Sequence, residues 1–213
     1  MFYDRYEAGR DLAEKLTEYT GSDAVICAIP RGGILTGLAV AKRLDLPMKI
    51  MIVGTVERVS LETAIHYAVT EFGTTASISD EPLPESEIEK ALQQAKQKRR
   101  AYTDSEDIPT WKDKTVIVVD DGAESGLTIK AVVMSLQEQK PEKVIVALPA
   151  ASASVVSWLH KHVDEVIVIK TDSEFKGMIH EHFSHYPEVF DKEVHVAYWH
   201  AKHVYEHNHN STT

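Results

Sequence analysis

The sequence predicts an α/β fold, an open parallel sheet of about five strands with helices on both faces. Apolar runs without polar alternation recur at residues 24–29, 116–119 and 143–149. Such runs are typical of strands that are buried on both faces. Helical patterns separate them, and alternating strands and helices favour right-handed parallel connections. A chain of 213 residues fits one such domain.

We expect residues 1–175 to form the core of this domain. Residues 176–213 are expected to form a small irregular hood and a His-rich tail that belong to the same domain, with the N-terminal segment contributing to the hood. The Phe175, Phe183 and Tyr186 side chains are candidates to pack over the crevice of the sheet.

Composition excludes several classes of protein. The net charge of −10 and the absence of a basic stripe argue against general nucleic-acid binding. No apolar run is long enough to span a membrane, and the N-terminus does not resemble a signal peptide. The single cysteine, Cys27, excludes an intrachain disulfide and fits a reducing, cytoplasmic compartment. Because Cys27 lies in an apolar run, we interpret it as a buried small hydrophobe rather than a nucleophile.

The first half of the chain begins with an amphipathic helix over residues 4–19, with Asp4 as its cap. The strand at 24–29 is followed by Pro-Arg-Gly-Gly at 30–33 and by a helix over 34–44. The glycines allow close approach of the backbone to an anion, and Arg31 supplies a planar cation that suits phosphate oxygens. The alternative is an ordinary strand-to-helix turn with a surface arginine.

Between this unit and the central strand, residues 49–53 and 66–69 are expected to be paired strands. Residues 85–102 are expected to be a charged helix with one apolar edge. Glu57 and Arg58 lie between the two strands.

The central stretch, residues 116–128, reads Val-Ile-Val-Val-Asp-Asp-Gly-Ala-Glu-Ser-Gly-Leu-Thr. Asp120 and Asp121 follow the strand directly, and a helix is predicted from Leu127 to Gln139. The free amides at the start of a helix attract phosphate, and Ser125 and Thr128 add hydroxyl donors. The acids need another target, either sugar hydroxyls or a hard cation such as Mg²⁺.

The last part of the chain predicts a strand at 143–149, a helix at 150–162 and a strand at 166–169. Most of the eleven histidines follow residue 171. His200, His203 and His207 would share one face of a helix, which makes a metal site conceivable, but a frayed and partly exposed polar terminus is the preferred interpretation.

The central stretch resembles the signature of type I phosphoribosyltransferases, which is four apolar residues, two acids, a short variable stretch and Thr-Gly-x-Thr. Ser125 stands in place of the first Thr and keeps its hydroxyl. Over residues 2–195 the chain is similar to a set of bacterial phosphoribosyltransferases of unassigned substrate. The matching motifs are the opening helix at 2–9, the Pro-Arg-Gly-Gly loop, and the Val-Asp-Asp-Gly at 119–122.

The resemblance implies a site for phosphoribosyl pyrophosphate (PRPP) with Mg²⁺. It implies that the 5′-phosphate lies on the amides of residues 123–128, that Asp120 and Asp121 hold the ribose directly or through the metal shell, and that pyrophosphate leaves toward Arg31 and Gly32. The implied catalytic residues are Glu124, Asp120, Asp121 and Arg58, with Glu124 as a general base for the acceptor and Arg58 on a mobile lid. The implied PRPP-binding residues are Arg31, Gly32, Asp120, Asp121, Gly122, Ala123, Glu124, Ser125, Gly126, Leu127 and Thr128.

The chain departs from these relatives at the lid, where Glu57 and Arg58 replace an Arg-Lys pair. Two functions therefore stay open: transfer of a phosphoribosyl group to a small, nucleobase-like nitrogenous acceptor, and binding of PRPP or a nucleotide without turnover. Hydrolysis of a nucleotide in the same site is a weaker third alternative. A homodimer is a possible assembly, and the sequence does not identify the acceptor.

Overall fold

The computed structural model of the protein describes residues 1–60, 63–172 and 178–210. Within these ranges the strands are β1 (Val25–Ala28), β2 (Met48–Ile50), β3 (Val53–Ser60), β4 (Thr63–Thr70), β5 (Thr75–Ser77), β6 (Thr115–Val119), β7 (Lys143–Ser152) and β8 (Glu165–Asp172). The helices are α1 (Arg5–Lys15), α2 (Gly33–Leu44), α3 (Glu85–Thr103), α4 (Leu127–Glu138), α5 (Ala153–Leu159) and α6 (Asp191–Asn210). Short 3₁₀ helices span Thr17–Tyr19 and Ile179–His182.

The five-stranded parallel sheet that the sequence predicts is confirmed, with the strand order β2-β1-β6-β7-β8. β1 is in parallel register with β6, Val25 opposite Val116, and β6 continues the register with β7, Ile117 opposite Ile145. Because the side chains of a strand alternate between the two faces, each apolar run supplies both faces at once.

The helices cover both faces of this sheet, also as predicted. One face packs against α1, α2 and α6, and the other packs against α4 and α5. Cys27 is fully buried on the second face, and this burial raises the pKa of its thiol. A buried neutral thiol fits the prediction of a small hydrophobe.

The strand order reverses between β1 and β6, because α2 leads outward to β2 while the later strands follow on the other side. In open α/β sheets, ligands bind at the carboxyl ends of the strands at such a reversal. The loops after β1 and β6 are the Pro-Arg-Gly-Gly and Asp-Asp-Gly segments. The topology therefore brings the two sequence motifs to one crevice.

The predicted strand at 49–53 is wrong in one respect, because it is divided between two sheets. Met48–Ile50 completes the parallel sheet, whereas Val53–Ser60 pairs with β4 in a separate antiparallel sheet of order β3-β4-β5. The predicted partner at 66–69 is part of the longer β4. Met51 and Ile52, which connect β2 to β3, are buried in the cores on the two faces of the parallel sheet, so the hydrophobic run continues although the hydrogen-bond partner changes.

The C-terminal segment is also more regular than the frayed polar terminus that the sequence favours, because α6 runs for 20 residues. Val194, Ala197 and Ala201 recur on one face and are buried against the core with α2. This tertiary contact stabilises a helix whose other faces are polar. Nothing in the described ranges groups three or more His, Cys, Asp or Glu side chains in a way that could hold a metal ion. No helix of those ranges combines the length and the hydropathy that a membrane span requires.

Candidate functional site

The two loops of the site lie side by side because their strands are neighbours. Ala28 is in register with Val119, the last residues of β1 and β6, and the Ile29 amide donates to the Val119 carbonyl at 3.1 Å. Each loop then leads into a helix, α2 or α4. The carboxyl ends of both strands and the amino ends of both helices therefore face the same crevice.

The glycines of the first loop are in contact with the acids of the second. A Cβ atom added to Gly32 would lie 2.0 Å from Asp121 Oδ2. A Cβ atom added to Gly33 would lie 2.7 Å from both Cα and Oδ1 of Asp120. Only hydrogen atoms fit in these spaces, so Gly32 and Gly33 allow the acidic pair to pack directly on the start of α2.

Asp121 is held by two side chains from distant parts of the chain. Arg5 Nε donates to Asp121 Oδ2 at 2.7 Å, and the Tyr186 hydroxyl donates to the same oxygen at 2.7 Å. The Arg5 and Asp121 side chains are 6% and 13% exposed, so this ion pair is largely shielded from solvent. Arg5 also donates from Nη1 to the Pro187 carbonyl and lies over the Tyr186 ring at 3.5 Å.

Asp120 has a different environment, although it is the adjacent residue. Its Oδ1 accepts a hydrogen bond from the Asp121 amide at 2.9 Å. Burial, and next the negative charge of Asp121, raise the pKa of the Asp120 carboxyl well above its usual value. The pair therefore consists of one acid matched by an arginine and one acid whose environment favours the protonated form.

The second loop forms a small cavity at the start of α4. It has a volume of about 110 Å³ and is lined by Asp120 and residues 122–129. Gly126 has φ +71°, a left-handed conformation that suits glycine, and no side chain caps the helix at this residue. The amides of the first turn of α4 have no partner inside the helix, so they are suited to an anion.

The cradle loop, residues 122–126, is anchored to the end of β7. The Ala123 amide donates to the Ala150 carbonyl at 3.0 Å, and the Ser152 hydroxyl donates to the Glu124 carbonyl at 2.8 Å. These contacts fix the backbone of Glu124 while its side chain stays exposed. The exposed Glu124 carboxylate, on a fixed backbone, can therefore serve as a proton acceptor for a second ligand.

A second, larger cavity lies beyond the acids. It has a volume of about 500 Å³ and is lined by Arg5, Arg31, Gly32, Asp121, Tyr186, Pro187, Glu188 and Val189. Arg31 Nη2 lies 3.3 Å from Glu188 Oε1, and both side chains are about half exposed. An exposed pair of this kind is weak, so a polyanionic ligand can exchange for Glu188.

Arg58 is not part of either cavity. It lies in β3 and its Nη1 donates to Glu81 Oε1 at 3.2 Å. The antiparallel sheet that carries it packs on α3 and α4. In this structure the predicted lid residue is therefore apart from the acids.

The hood is formed by the N-terminal segment and by residues 179–186, which precede α6. Phe2 and Phe183 form a short parallel bridge, and the Phe183 and Tyr186 rings lie 5.0 Å apart. A Cβ atom on Gly122 would lie 2.6 Å from Ile179 Cδ1, so the hood packs directly on the cradle loop. Phe175 lies outside the described residues.

Sequence reasoning missed Arg5 and Ser152, and it expected Tyr186 over the crevice without its hydrogen bond to Asp121. Arg5 is part of the opening 2–9 motif, but a charged residue in an amphipathic helix normally indicates a solvated face. Its burial, at 5% exposure, indicates that its charge is paired inside the protein, and only the structure provides this contact.

A sequence model described as the phosphoribosyl transferase domain matches residues 2–182. The chain belongs to this family. The phosphoribosyl transferase match includes both loops of the site and α1, which carries Arg5.

Individual proteins are consistent with this assignment. Two Mycobacterium tuberculosis proteins, of strains CDC 1551 / Oshkosh and H37Rv, are described as proposed phosphoribosyl transferases and are each 26% identical over 203 residues. The match spans 91% of this chain but 45% of those proteins, so the chain corresponds to less than half of their length. The crystal structure of TT1426 from Thermus thermophilus is similar in fold, with a TM-score of 0.78, 26% identity and coverage of 93% of this chain and 98% of that one.

Proposed function

We propose that this phosphoribosyl transferase family member moves the ribose 5-phosphate group from PRPP to a nitrogenous, nucleobase-like acceptor and releases pyrophosphate. The observation that carries the proposal is the open cradle at the start of α4, which lies beside the acidic pair and across from Arg31. PRPP has anionic groups at both ends and hydroxyls in the middle. The distribution of donors and acceptors in the crevice is the complement of that molecule.

The cradle loop fits the 5′-phosphate. Its cavity of about 110 Å³ is of the size of one phosphate group rather than of a nucleoside. The amides at the start of α4, the helix dipole, and the Ser125 and Thr128 hydroxyls supply donors without a permanent charge.

The acids fit the ribose. Carboxylate oxygens accept hydrogen bonds from vicinal hydroxyls, and negative charge near the ring stabilises an oxocarbenium-like transition state. In this proposal Asp120 lines the phosphate cavity and Asp121 lines the larger one, so that the sugar lies across both.

The larger cavity fits the pyrophosphate and the acceptor. Arg31 can exchange its weak contact with Glu188 for phosphate oxygens, which it binds in a planar, bidentate geometry. Arg58 would add its positive charge to that of Arg31 only after a movement of β3 and β4, in the manner of a closing lid. Glu124 is the candidate general base, because its exposed carboxylate is on the loop that holds the ribose phosphate.

Mg²⁺ is the proposed cofactor, delivered with PRPP. Oxygen donors are the ligands that Mg²⁺ prefers, and the carboxyl groups of Asp120 and Asp121 supply them at the ribose end of the site. When bound, the ion would neutralise part of the pyrophosphate charge as the glycosidic bond breaks.

The decisive experiment measures pyrophosphate release from Mg²⁺–PRPP with a panel of nucleobases. We expect Asp121→Asn to weaken PRPP binding or turnover ~10-fold or more, because a charge-assisted contact is lost. Asp113→Asn is the matched control, since the Asp113 side chain is 80% exposed and lies outside both cavities. Equal binding and turnover in Asp121→Asn and the wild type would remove the acidic pair from the mechanism.

A second candidate function is a protein of the same family that binds PRPP or a nucleotide without turnover. The contact between Arg58 and Glu81 favours it, because this lid residue is already paired away from the crevice. Calorimetric binding of Mg²⁺–PRPP with no pyrophosphate release under any acceptor would select this alternative.

A further inference from the structure

We propose that Arg5 and Tyr186 are positioning residues, which hold Asp121 through one carboxylate oxygen and thereby present its other oxygen to the ribose of PRPP. The inference rests on the proposed function and adds residues that the acidic motif does not contain. It also gives the hood a direct connection to the PRPP site.

The first support is the geometry at Asp121. The hydrogen bonds from Arg5 Nε and from the Tyr186 hydroxyl both reach Oδ2, each at 2.7 Å. A carboxylate that receives two donors on one oxygen cannot rotate freely, so the direction of Oδ1 is fixed before a ligand arrives. A ligand-binding group that is fixed in advance does not lose conformational entropy on binding.

The second support is the floor beneath the carboxylate. Gly32 leaves the space in which Oδ2 lies, since a Cβ atom there would be 2.0 Å away. Asp121 is thus confined both by Gly32 and by its two donors. Contacts from three separate segments of the chain hold this carboxylate, whereas a surface ion pair involves only one partner.

The third support is the position of the two donors in the fold. Arg5 is at the start of α1, and it also donates to the Pro187 carbonyl. Tyr186 belongs to the hood, where its ring contacts Arg5 and Phe183. The clamp, defined as Arg5, Tyr186 and Asp121, therefore fastens the hood to the acid that lines the larger cavity.

The protonation of the clamp is consistent with this role. Burial, and next the charge of Asp121, raise the pKa of the Tyr186 hydroxyl, so it remains a donor at neutral pH. The Arg5 guanidinium matches the charge of Asp121 in the ion pair. Both donors are then constant, which is what a positioning role requires.

The test is a double-mutant cycle on the affinity for Mg²⁺–PRPP, measured by calorimetry on the full chain without an acceptor. Tyr186→Phe keeps the ring and removes the hydroxyl, and we expect binding about 3- to 10-fold weaker, as for the loss of one charge-assisted hydrogen bond. In the Asp121→Asn background the same change should weaken binding less than about 2-fold, because its partner is already altered. Arg5→Lys, which keeps the charge but alters the geometry, should behave like Tyr186→Phe.

Two controls match these variants. Tyr3→Phe removes an exposed hydroxyl, and Arg10→Lys changes an exposed arginine of the same helix as Arg5. Both should bind Mg²⁺–PRPP as the wild type does.

The outcomes separate the two proposals. If the wild-type protein does not bind Mg²⁺–PRPP, the proposed function and this inference are both overturned. If the wild type binds but Tyr186→Phe and Arg5→Lys bind equally well, only the inference fails. It also fails if Tyr186→Phe weakens PRPP binding equally in the wild-type and Asp121→Asn backgrounds, because the hydroxyl would then act independently of Asp121. A Tyr186→Phe protein that melts at a lower temperature but keeps its PRPP affinity would also overturn it, because Tyr186 would then be a merely structural residue.

Discussion

The two strand-loop-helix units of the site, β1 to α2 and β6 to α4, look alike in sequence but use their small residues differently. In the first unit, Gly32 and Gly33 leave space for carboxyl groups of the same chain. In the second, residues 122–126 surround a small cavity, and Gly126 adopts a left-handed conformation at the start of α4.

The difference separates two reasons for a glycine beside a helix start. Gly32 and Gly33 are needed only because the acids lie too close for a side chain, whereas Gly126 is needed also for its left-handed backbone. The first unit therefore organises the acids, and the second organises the anion cradle. Substitutions should distinguish the two roles.

The largest effect is expected at Gly33. In Gly33→Ala the new Cβ atom would clash with the Asp120 backbone, which cannot move away, and the protein should lose about 3 kcal/mol of stability as in other overpacked cores. Gly54→Ala is the control, since its Cβ atom would have no neighbour closer than 3.9 Å. Chemical denaturation measures both; a loss no larger than that of the control would contradict the packing argument.

Gly32→Ala should differ from Gly33→Ala in kind. Its Cβ atom would meet the end of the Asp121 side chain rather than backbone atoms, and the displaced side chain would leave its two donors, so stability should fall by about 2 kcal/mol. The displaced carboxylate would lose the clamp, and PRPP affinity should fall about 10-fold. A variant with normal PRPP affinity and a large loss of stability would reverse this distinction.

Gly126→Ala tests the cradle against a glycine of similar backbone conformation. Gly21 has φ +65° and open space around it, whereas a Cβ atom on Gly126 would lie 2.5 Å from Val155 Cγ2. Gly21→Ala should cost about 1 kcal/mol of stability for the left-handed conformation alone. Gly126→Ala should cost more and should also weaken PRPP binding, and calorimetry with both variants gives the comparison.

The raised pKa of Asp120 predicts an unusual dependence on pH. The folded state retains a proton that the unfolded state releases, so stability is fully present below the unfolded pKa of about 4 and decreases as pH rises toward the folded pKa. PRPP affinity should change in the opposite direction, because the carboxylate that accepts ribose hydroxyls forms as pH rises. Asp120→Asn is the reference for both profiles, since PRPP itself titrates, and parallel profiles in the two proteins would exclude Asp120 as the cause.

The smallest effect on stability is expected at Arg58, outside both units. The Arg58 and Glu81 side chains are about one third exposed, and such pairs contribute less than about 1 kcal/mol. Arg58→Ala should therefore unfold almost as the wild type does, as should Arg43→Ala, which breaks the exposed pair with Glu14. If Arg58 is a lid residue, only Arg58→Ala should slow pyrophosphate release, with PRPP affinity unchanged.

The antiparallel sheet and α6 mark where local patterns fail. The run at 49–53 is continuously apolar after Lys49, yet its hydrogen-bond partners change between Ile50 and Val53. The His-rich end is mostly polar, yet the contact of Val194, Ala197 and Ala201 with the core holds it as a helix. Both outcomes depend on partners elsewhere in the chain, which a local pattern does not contain.

The sequence by itself determined the buried strands, the two loops and the acidic pair, because hydrophobic periodicity and the backbone preferences of glycine act over a few residues. The tertiary structure decided that β1 and β6 are neighbours, which brings both loops to one crevice. It also decided that Arg5 and Tyr186, 116 and 65 residues away from Asp121, meet on one of its oxygens. Contacts over such separations depend on the packing of whole elements, and the residues that make them carry no local signature.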